Sequence, residues 1–252
     1  MNQRLDVSDI TFGYGERLLF SNFSIAAEPG EICAIMGASG VGKSTLLRLI
    51  SGYLQPKCGS VRLDGEPVAT ARRRDSLSMM FQDDRLLEWL TVGENVEIGL
   101  PVQSDENTNR LVKELLEAVG LPEHSAMFPR QLSGGMRQRV ALCRALAREP
   151  SVLLLDEPFG SVDLRTRERL TTLVKALLDS PRVKTPLTFF VSHSAEEAVL
   201  LSTRIIVLGG EPARCIFDSP NAQAGTWDRL YVDPEMLDRV RALRQLLRES
   251  EI

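Results

Sequence analysis

The chain has 252 residues, 43% hydrophobic and 25% charged, with a net charge of -4 at pH 7 and a pI near 5.4. That length can bury a sizeable core as one or two domains. The mild acidity excludes a protein held to nucleic acid by its overall charge, and no run reaches the roughly 18 apolar residues that a membrane span needs.

The N-terminal segment Met1-Asn2-Gln3-Arg4-Leu5-Asp6 carries no apolar signal region. Residues 4–12 and 18–27 read as strands, with Gly13-Tyr14-Gly15 as the turn between them. Glu31 to Met36 is a short apolar strand. It feeds Gly37-Ala38-Ser39-Gly40-Val41-Gly42-Lys43-Ser44, which fits G-x-x-x-x-G-K-[ST]. Glycines let backbone wrap closely around phosphate oxygens, and the amides then point at the anion. In such a loop Lys43 reaches the β and γ phosphates and the Ser44 hydroxyl serves Mg²⁺. A helix follows from Lys43 to Ser51, with Leu46, Leu47 and Ile50 on one face. The alternative is a glycine turn before an ordinary helix.

Ser60–Leu63 and Leu77–Phe81 are further strand candidates, and Arg72-Arg73-Arg74 reads as solvated surface. Gln82 follows the second of these strands. A neutral amide there can ligate Mg²⁺ through oxygen, although a lone glutamine says little. Residues 92–148 read as mostly helical, with Leu111, Leu115, Leu116 and Val119 at helical spacing from Asn107 to Val119. Within that stretch, Ser133 of Leu132-Ser133-Gly134-Gly135-Met136-Arg137-Gln138 caps a helix running through Val140, Leu142, Leu146 and Arg148. Its free N–H groups make a second anion site.

Alternation returns after Pro150: strand 152–156, helix 163–179, strand 187–192, helix 195–202 and strand 204–208. This predicts an α/β core with a largely parallel sheet. Asp156 ends the apolar run Val152–Leu155, where a carboxylate can hold a magnesium shell. The plainer alternative is that Asp156 and Glu157 only start a turn before Pro158. His193 also stands at a strand end, where an isolated histidine is usually structural, and His124 lies in the helical stretch with no chemical task. Ser219 to Gly225 reads as a loop. Met236, Val240, Leu243 and Leu247 then define an amphipathic helix that packs on its own domain or serves a dimer or regulatory contact. Cys33, Cys58, Cys143 and Cys215 lack zinc-site spacing. Cys33 and Cys143 sit among apolar residues, and a reducing compartment fits best.

The glycine loop, Gln82, Leu132–Gln138, Val152–Glu157 and His193, in that order, resemble the ATP-binding subunit of ABC transporters from residue 4 to about 215. The resemblance implies an α/β P-loop NTPase core with an N-terminal antiparallel β subdomain and a helical subdomain inserted at about 92–148. The ATPase domain would span 1–218, with 219–252 as a C-terminal loop and helix extension. It also implies ATP and Mg²⁺, with Gly37 to Ser44 and Thr45 around the phosphates and Tyr14 stacked on adenine. The metal falls to Ser44, Gln82 and Asp156. Glu157 becomes the general base for water, His193 the switch that bonds the γ-phosphate, and Gln82 the Q-loop residue. The signature residues Ser133, Gly134, Gly135 and Met136 are implied to act on the nucleotide of a second copy, so that two ATP molecules lie between two subunits. Asp163 is the retained residue of the D-loop, Phe159-Gly160-Ser161-Val162-Asp163.

The implied partners are that second ATPase subunit, transmembrane permease subunits and, for an importer, a periplasmic or surface substrate-binding protein. No nucleic acid is implied, and the implied location is peripheral, on the cytoplasmic face of the cell membrane. Methionine stands at position 136, where glutamine is common, and the D-loop departs from S-A-L-D at all but its last position. Asp83 to Val92 is similar to the L-L-P-W-x-T-V stretch of nitrate, sulfonate and taurine importers, with Glu88 in place of proline. His193-Ser194-Ala195-Glu196-Glu197-Ala198 is similar to their H-D-x-x-E-A. Import of a small anion is the expectation. Alternatives are an exporter or lipid-handling system, a non-transport ABC ATPase, and a small-molecule kinase. The kinase leaves the signature unexplained.

Overall fold

A computed structural model describes residues 4–70, 77–100, 106–160, 162–179, 186–222 and 224–250. The Arg72-Arg73-Arg74 triplet, Ser161 of the D-loop and Gln223 of the tail lie outside the described residues.

Strands β1 (Leu5–Tyr14) and β2 (Arg17–Ala27) form an antiparallel hairpin. The expected turn at Gly13-Tyr14-Gly15 is displaced. A connection as short as Gly15-Glu16 closes a hairpin, so Gly13 and Tyr14 stay in the strand opposite Leu18 and Arg17. Strand β3 (Ile32–Gly37) is buried at every residue and leads through the glycine loop to helix α1 (Lys43–Ile50). Strands β4 (Cys58–Leu63) and β5 (Glu66–Pro67) then complete a four-stranded antiparallel sheet in the order β2-β1-β4-β5.

After β6 (Leu77–Met80) come helices α2 (Val92–Glu97) and α3 (Glu106–Ala118), a 3-10 turn at Pro129–Gln131, and α4 (Gly134–Ala147). The alternating half follows as β7 (Val152–Asp156), α5 (Leu164–Leu178), β8 (Leu187–Val191), α6 (Ala195–Leu201), β9 (Arg204–Gly209) and β10 (Arg214–Pro220). Helices α7 (Trp227–Leu230) and α8 (Pro234–Glu249) end the described chain. No described helix is long and apolar enough to cross a membrane.

The second sheet has six strands in the order β10-β9-β3-β8-β7-β6, parallel throughout except for β10 against β9. Ser219 and Pro220, read as loop in the sequence, are the end of β10. Its residues are largely exposed, so it shows little apolar alternation, and a proline is tolerated at the end of an edge strand. The alternation that matters is inside β3. Ile32, Ala34 and Met36 face one core with α4, α5, α6 and α8, while Cys33 and Ile35 face the other with α1 and the antiparallel sheet. Each fully buried Leu or Ile contributes about 1.5–3 kcal/mol, so a strand buried on both faces fixes the sheet centre. Met236, Val240 and Leu243 of α8 are buried in the first core and Leu247 packs at its margin, which is the self-packing alternative for that helix.

The links between layers are polar as well. Arg137 of α4 pairs with Asp84 at 2.9 Å and donates to the Leu132 carbonyl. Arg144 donates to the carbonyls of Asp84 and Arg85 at 2.7 and 2.8 Å. The segment after β6 is therefore fastened to α4. Asn95 of α2, fully buried, donates to the carbonyls of Leu87, Leu90 and Thr91 and accepts from the Leu87 amide. Trp89 at the crest of that loop is 72% exposed.

Candidate active site

Parallel strands open their carboxyl ends to one edge of a sheet, and ligands of α/β folds collect there. Here β3, β6, β7 and β8 run parallel, so the glycine loop, Gln82, Asp156-Glu157 and His193 meet at one edge although up to 156 positions separate them (193 minus 37).

The glycine loop closes on itself through Lys43. The buried Nζ donates to the carbonyls of Gly37 and Ala38 at 2.9 and 2.8 Å, and an ammonium has a third donor left. Burial lowers the Lys43 pKa, and the nearby Glu157 and Asp156 carboxylates oppose that shift. Gly37 and Gly42 have φ of 143° and 112°. A Cβ on Gly37 would stand 2.3 Å from the Leu208 carbonyl oxygen, and one on Gly42 would stand 2.9 Å from the Phe20 ring. Gly42 is also the N-cap of α1 and supplies no side-chain cap, and the first turn holds no acid. The helix amides are left for an anion.

Asp156 is fully buried at the end of β7. Its Oδ1 accepts from the Ser44 hydroxyl at 2.7 Å, while Oδ2 is buried without a partner among the described residues. Burial raises its pKa, and the Ser44 hydrogen bond works against that rise. Such a pair fits Mg²⁺, which takes one or two protein oxygens and draws the rest of its octahedron from water and phosphate. Glu157 follows at φ 52°, a left-handed conformation unusual for a residue with a side chain. Its Oε1 pairs with His193 Nε2 at 3.0 Å and its Oε2 accepts from Gln82 Nε2 at 3.4 Å. An ionised carboxylate only accepts, so the tautomer that satisfies this pairing carries its proton on Nε2.

A cleft of about 500 Å³ joins these groups. Tyr14, Ser39, Gly40, Gly42, Lys43, Ser44, Thr45, Gln82, Glu157 and His193 line it. Gly37, Ala38, Val41 and Asp156 do not: Ala38 and Val41 border a neighbouring hollow, and Asp156 lies buried behind Ser44, which bonds it. The sequence reading missed Arg17 and Leu19, which line the cleft beside Tyr14. Their place follows from the short hairpin turn, which puts Arg17 opposite Tyr14. Glu197 was also missed as a support. It is buried, accepts from the Ser192 hydroxyl and lies 3.6 Å from Arg167, while Ser192 accepts the Ser194 amide at 2.9 Å. Burial raises the Glu197 pKa. The turn that carries His193 is thereby pinned on both sides.

The signature residues lie elsewhere. Ser133 caps α4, its hydroxyl accepting from the Met136 amide at 3.3 Å, and none of Ser133, Gly134, Gly135 or Met136 lines the cleft. A Cβ on Gly135 would come within 2.9 Å of Val162 in the D-loop. Asp163 caps α5 by accepting from the Thr166 amide at 3.1 Å, and hydrogen bonding from the Thr166 side chain, with the amide second, holds its carboxyl below the usual range. One chain therefore presents a cleft and, apart from it, a second set of helix N-terminal amides.

The family described as ABC transporter matches residues 20–160. The taurine import ATP-binding protein TauB of Burkholderia pseudomallei (strain 1710b) is 40% identical over 249 residues, covering 94% of this chain and 93% of the relative. The aliphatic sulfonates import ATP-binding protein SsuB 1 of Xanthomonas axonopodis pv. citri (strain 306) is 43% identical over 203 residues, covering 79% and 78%. Among solved structures, a dimeric ATP-binding cassette in a post-hydrolysis state with ADP and Pi superposes with a TM-score of 0.75 at 31% identity, covering 86% of this chain and 98% of that one. With the glycine loop, the capped signature helix and the Glu157–His193 pair in these positions, the chain belongs to the ABC transporter family as one of its ATP-binding ATPase subunits.

Proposed function

We infer that this chain hydrolyses ATP between two copies of itself and drives a separate membrane permease that imports a small sulfur-bearing anion such as taurine or another sulfonate. Nitrate, a small anion without sulfur, is the other cargo of this reading. The observation that carries the catalytic part is the Glu157 carboxylate, set between His193 Nε2 and Gln82 Nε2 at the rim of the cleft that Lys43 and Ser44 also line. The similarity to taurine and sulfonate import subunits supports the cargo class.

In this reading Tyr14 offers its ring to adenine, and the amides from Gly37 to Thr45 surround the phosphates. Lys43 turns its remaining N–H to the β and γ oxygens. Ser44, Asp156 and Gln82 hold Mg²⁺, which supplies positive charge against the oxygens of the departing phosphoryl group. Glu157 accepts the proton of the attacking water, and base catalysis of this kind is typically worth about 10²–10⁴ in rate. His193 leaves Glu157 to donate to the γ-phosphate.

The Ser133, Gly134, Gly135 and Met136 face of the second copy caps that phosphate, with Asp163 beside it. ATP then favours the closed pair, because both copies hold its γ-phosphate, and hydrolysis removes the group that tells closed from open. The exposed loop around Trp89 meets the permease. Residues 1–218 form the ATPase domain and 219–252 its extension. The complex sits on the cytoplasmic face of the membrane and receives cargo from an external binding protein.

The test is the solution mass of Glu157→Gln with and without ATP and Mg²⁺. A dimer that forms only with both supports the closed pair and assigns Glu157 to hydrolysis rather than binding. A variant that binds no ATP refutes the site.

A further inference from the structure

Gln138 lies on α4, five positions after the Ser133 cap (138 minus 133), and is buried. Its side chain reaches out of the helix to the end of β7, where Nε2 donates to the Glu157 carbonyl at 3.0 Å. Its Oε1 is buried with no partner among the described residues. An unsatisfied buried polar atom costs about 1–3 kcal/mol, and a methionine of similar volume would carry no such cost. Packing alone does not call for glutamine here.

The acceptor is a special piece of backbone. Glu157 is held at φ 52°, and its carbonyl also accepts the Gly160 amide at 3.1 Å. A side-chain-bearing residue leaves such a conformation unless its surroundings fix it. Rotation about φ or ψ at Glu157 would swing its Cα–Cβ bond and carry the carboxylate away from His193 and Gln82.

We propose that Gln138 is a positioning residue for ATP hydrolysis, holding the Glu157 backbone in the conformation that aims its carboxylate into the cleft. This rests on the reading of Glu157 as the base. Gln138 and Ser133 share one helix, so the same hydrogen bond ties the aim of the carboxylate to the stance of α4. A helix seated by Ser133 against the nucleotide of the second copy steadies Glu157 in its own copy. A helix turned away loosens it.

The test uses the full chain with Gln138→Met and Gln138→Glu, beside wild type and Glu157→Gln. Gln138→Met keeps the volume and removes the donor. Its kcat is expected to fall roughly ten- to a hundredfold, the size of effect that a small misplacement of a reacting group produces, with the Kd for ATP within about threefold. Gln138→Glu can donate only when protonated, and burial raises a carboxyl pKa. Its turnover relative to wild type is expected to rise as pH falls from about 8.5 to about 6.

A Gln138→Met enzyme with wild-type kcat, beside an inactive Glu157→Gln, overturns the positioning role alone. So does a Gln138→Glu to wild-type ratio that is flat with pH, which remains readable if the methionine variant does not fold. Wild-type turnover in Glu157→Gln overturns the assignment of the base and the positioning role together.

Discussion

The Ser44 hydroxyl donates to Asp156 Oδ1 at 2.7 Å, and this hydrogen bond joins the glycine loop to the end of β7 while Asp156 Oδ2 stays buried with no partner among the described residues. Burial raises the Asp156 pKa, so the folded chain holds a proton there more tightly than the unfolded chain. Between the unfolded and the raised value the folded state binds more protons, and stability falls as pH rises through that window. At neutral pH the charge is a standing cost. Asp156→Asn is expected to melt higher than wild type by a few degrees without nucleotide, given that about 1 kcal/mol moves Tm by about 2–4 °C at this size. The gap should close as pH falls into the ordinary carboxylate range, and Mg²⁺-ATP should stabilise wild type more than the variant. Thermal melts across pH decide it, and a variant that melts lower at every pH contradicts the argument.

Lys43 braces the loop through two carbonyls and keeps one donor in reserve. Lys43→Ala removes both functions. Its affinity for ATP should drop by roughly tenfold or more, since a charge-assisted contact is worth about 1.5–3 kcal/mol. Fluorescence titration with a labelled nucleotide measures it.

Ser133 caps α4 at a distance from the cleft of its own chain. Ser133→Arg should lose about 0.5–2 kcal/mol with the cap, bind ATP as a monomer, and fail to hydrolyse it. Mixing Ser133→Arg with Lys43→Ala pairs an intact cleft with an intact signature in one of the two sites, and ATPase activity should return. Two inactive proteins that stay inactive when mixed would argue against a shared site.

Helix α8 is held by apolar packing more than by charge. Leu243 is buried, and Leu243→Ala is expected to cost about 2–4 kcal/mol. Arg244 pairs with Glu196 of α6 at the surface, and a partly exposed pair of this kind is worth about 0–1 kcal/mol. Urea denaturation of Leu243→Ala and Arg244→Ala should rank them in that order.

The parallel core was legible because β3, β7 and β8 are short, continuous apolar runs bounded by loop residues. The glycine loop was legible because its backbone needs leave a fixed spacing of Gly, Lys and Ser. β10 was not, since an edge strand is held by backbone pairing and its side chains mostly face water. Arg17 and Glu197 were missed for other reasons. Arg17 enters the cleft only because the short turn sets it opposite Tyr14, and Glu197, although it stands in the stretch similar to H-D-x-x-E-A, shows its supporting role only through its contacts with Ser192 and Arg167. The resemblance set Ser133, Gly134, Gly135 and Met136 apart as residues for a second copy's nucleotide, and in the fold none of the four lines the cleft of its own chain.

The buried amide of Asn95 gives the loop around Trp89 a fixed shape before anything touches it. A partner that lands there meets a preset template, and little conformational freedom is lost on contact. If this loop is the permease contact proposed above, Glu88 and Trp89 at its crest are the side chains such a partner would meet. Grafting residues 87–91 alone would transfer less than grafting them together with Asn95, because the shape is written into the helix beneath.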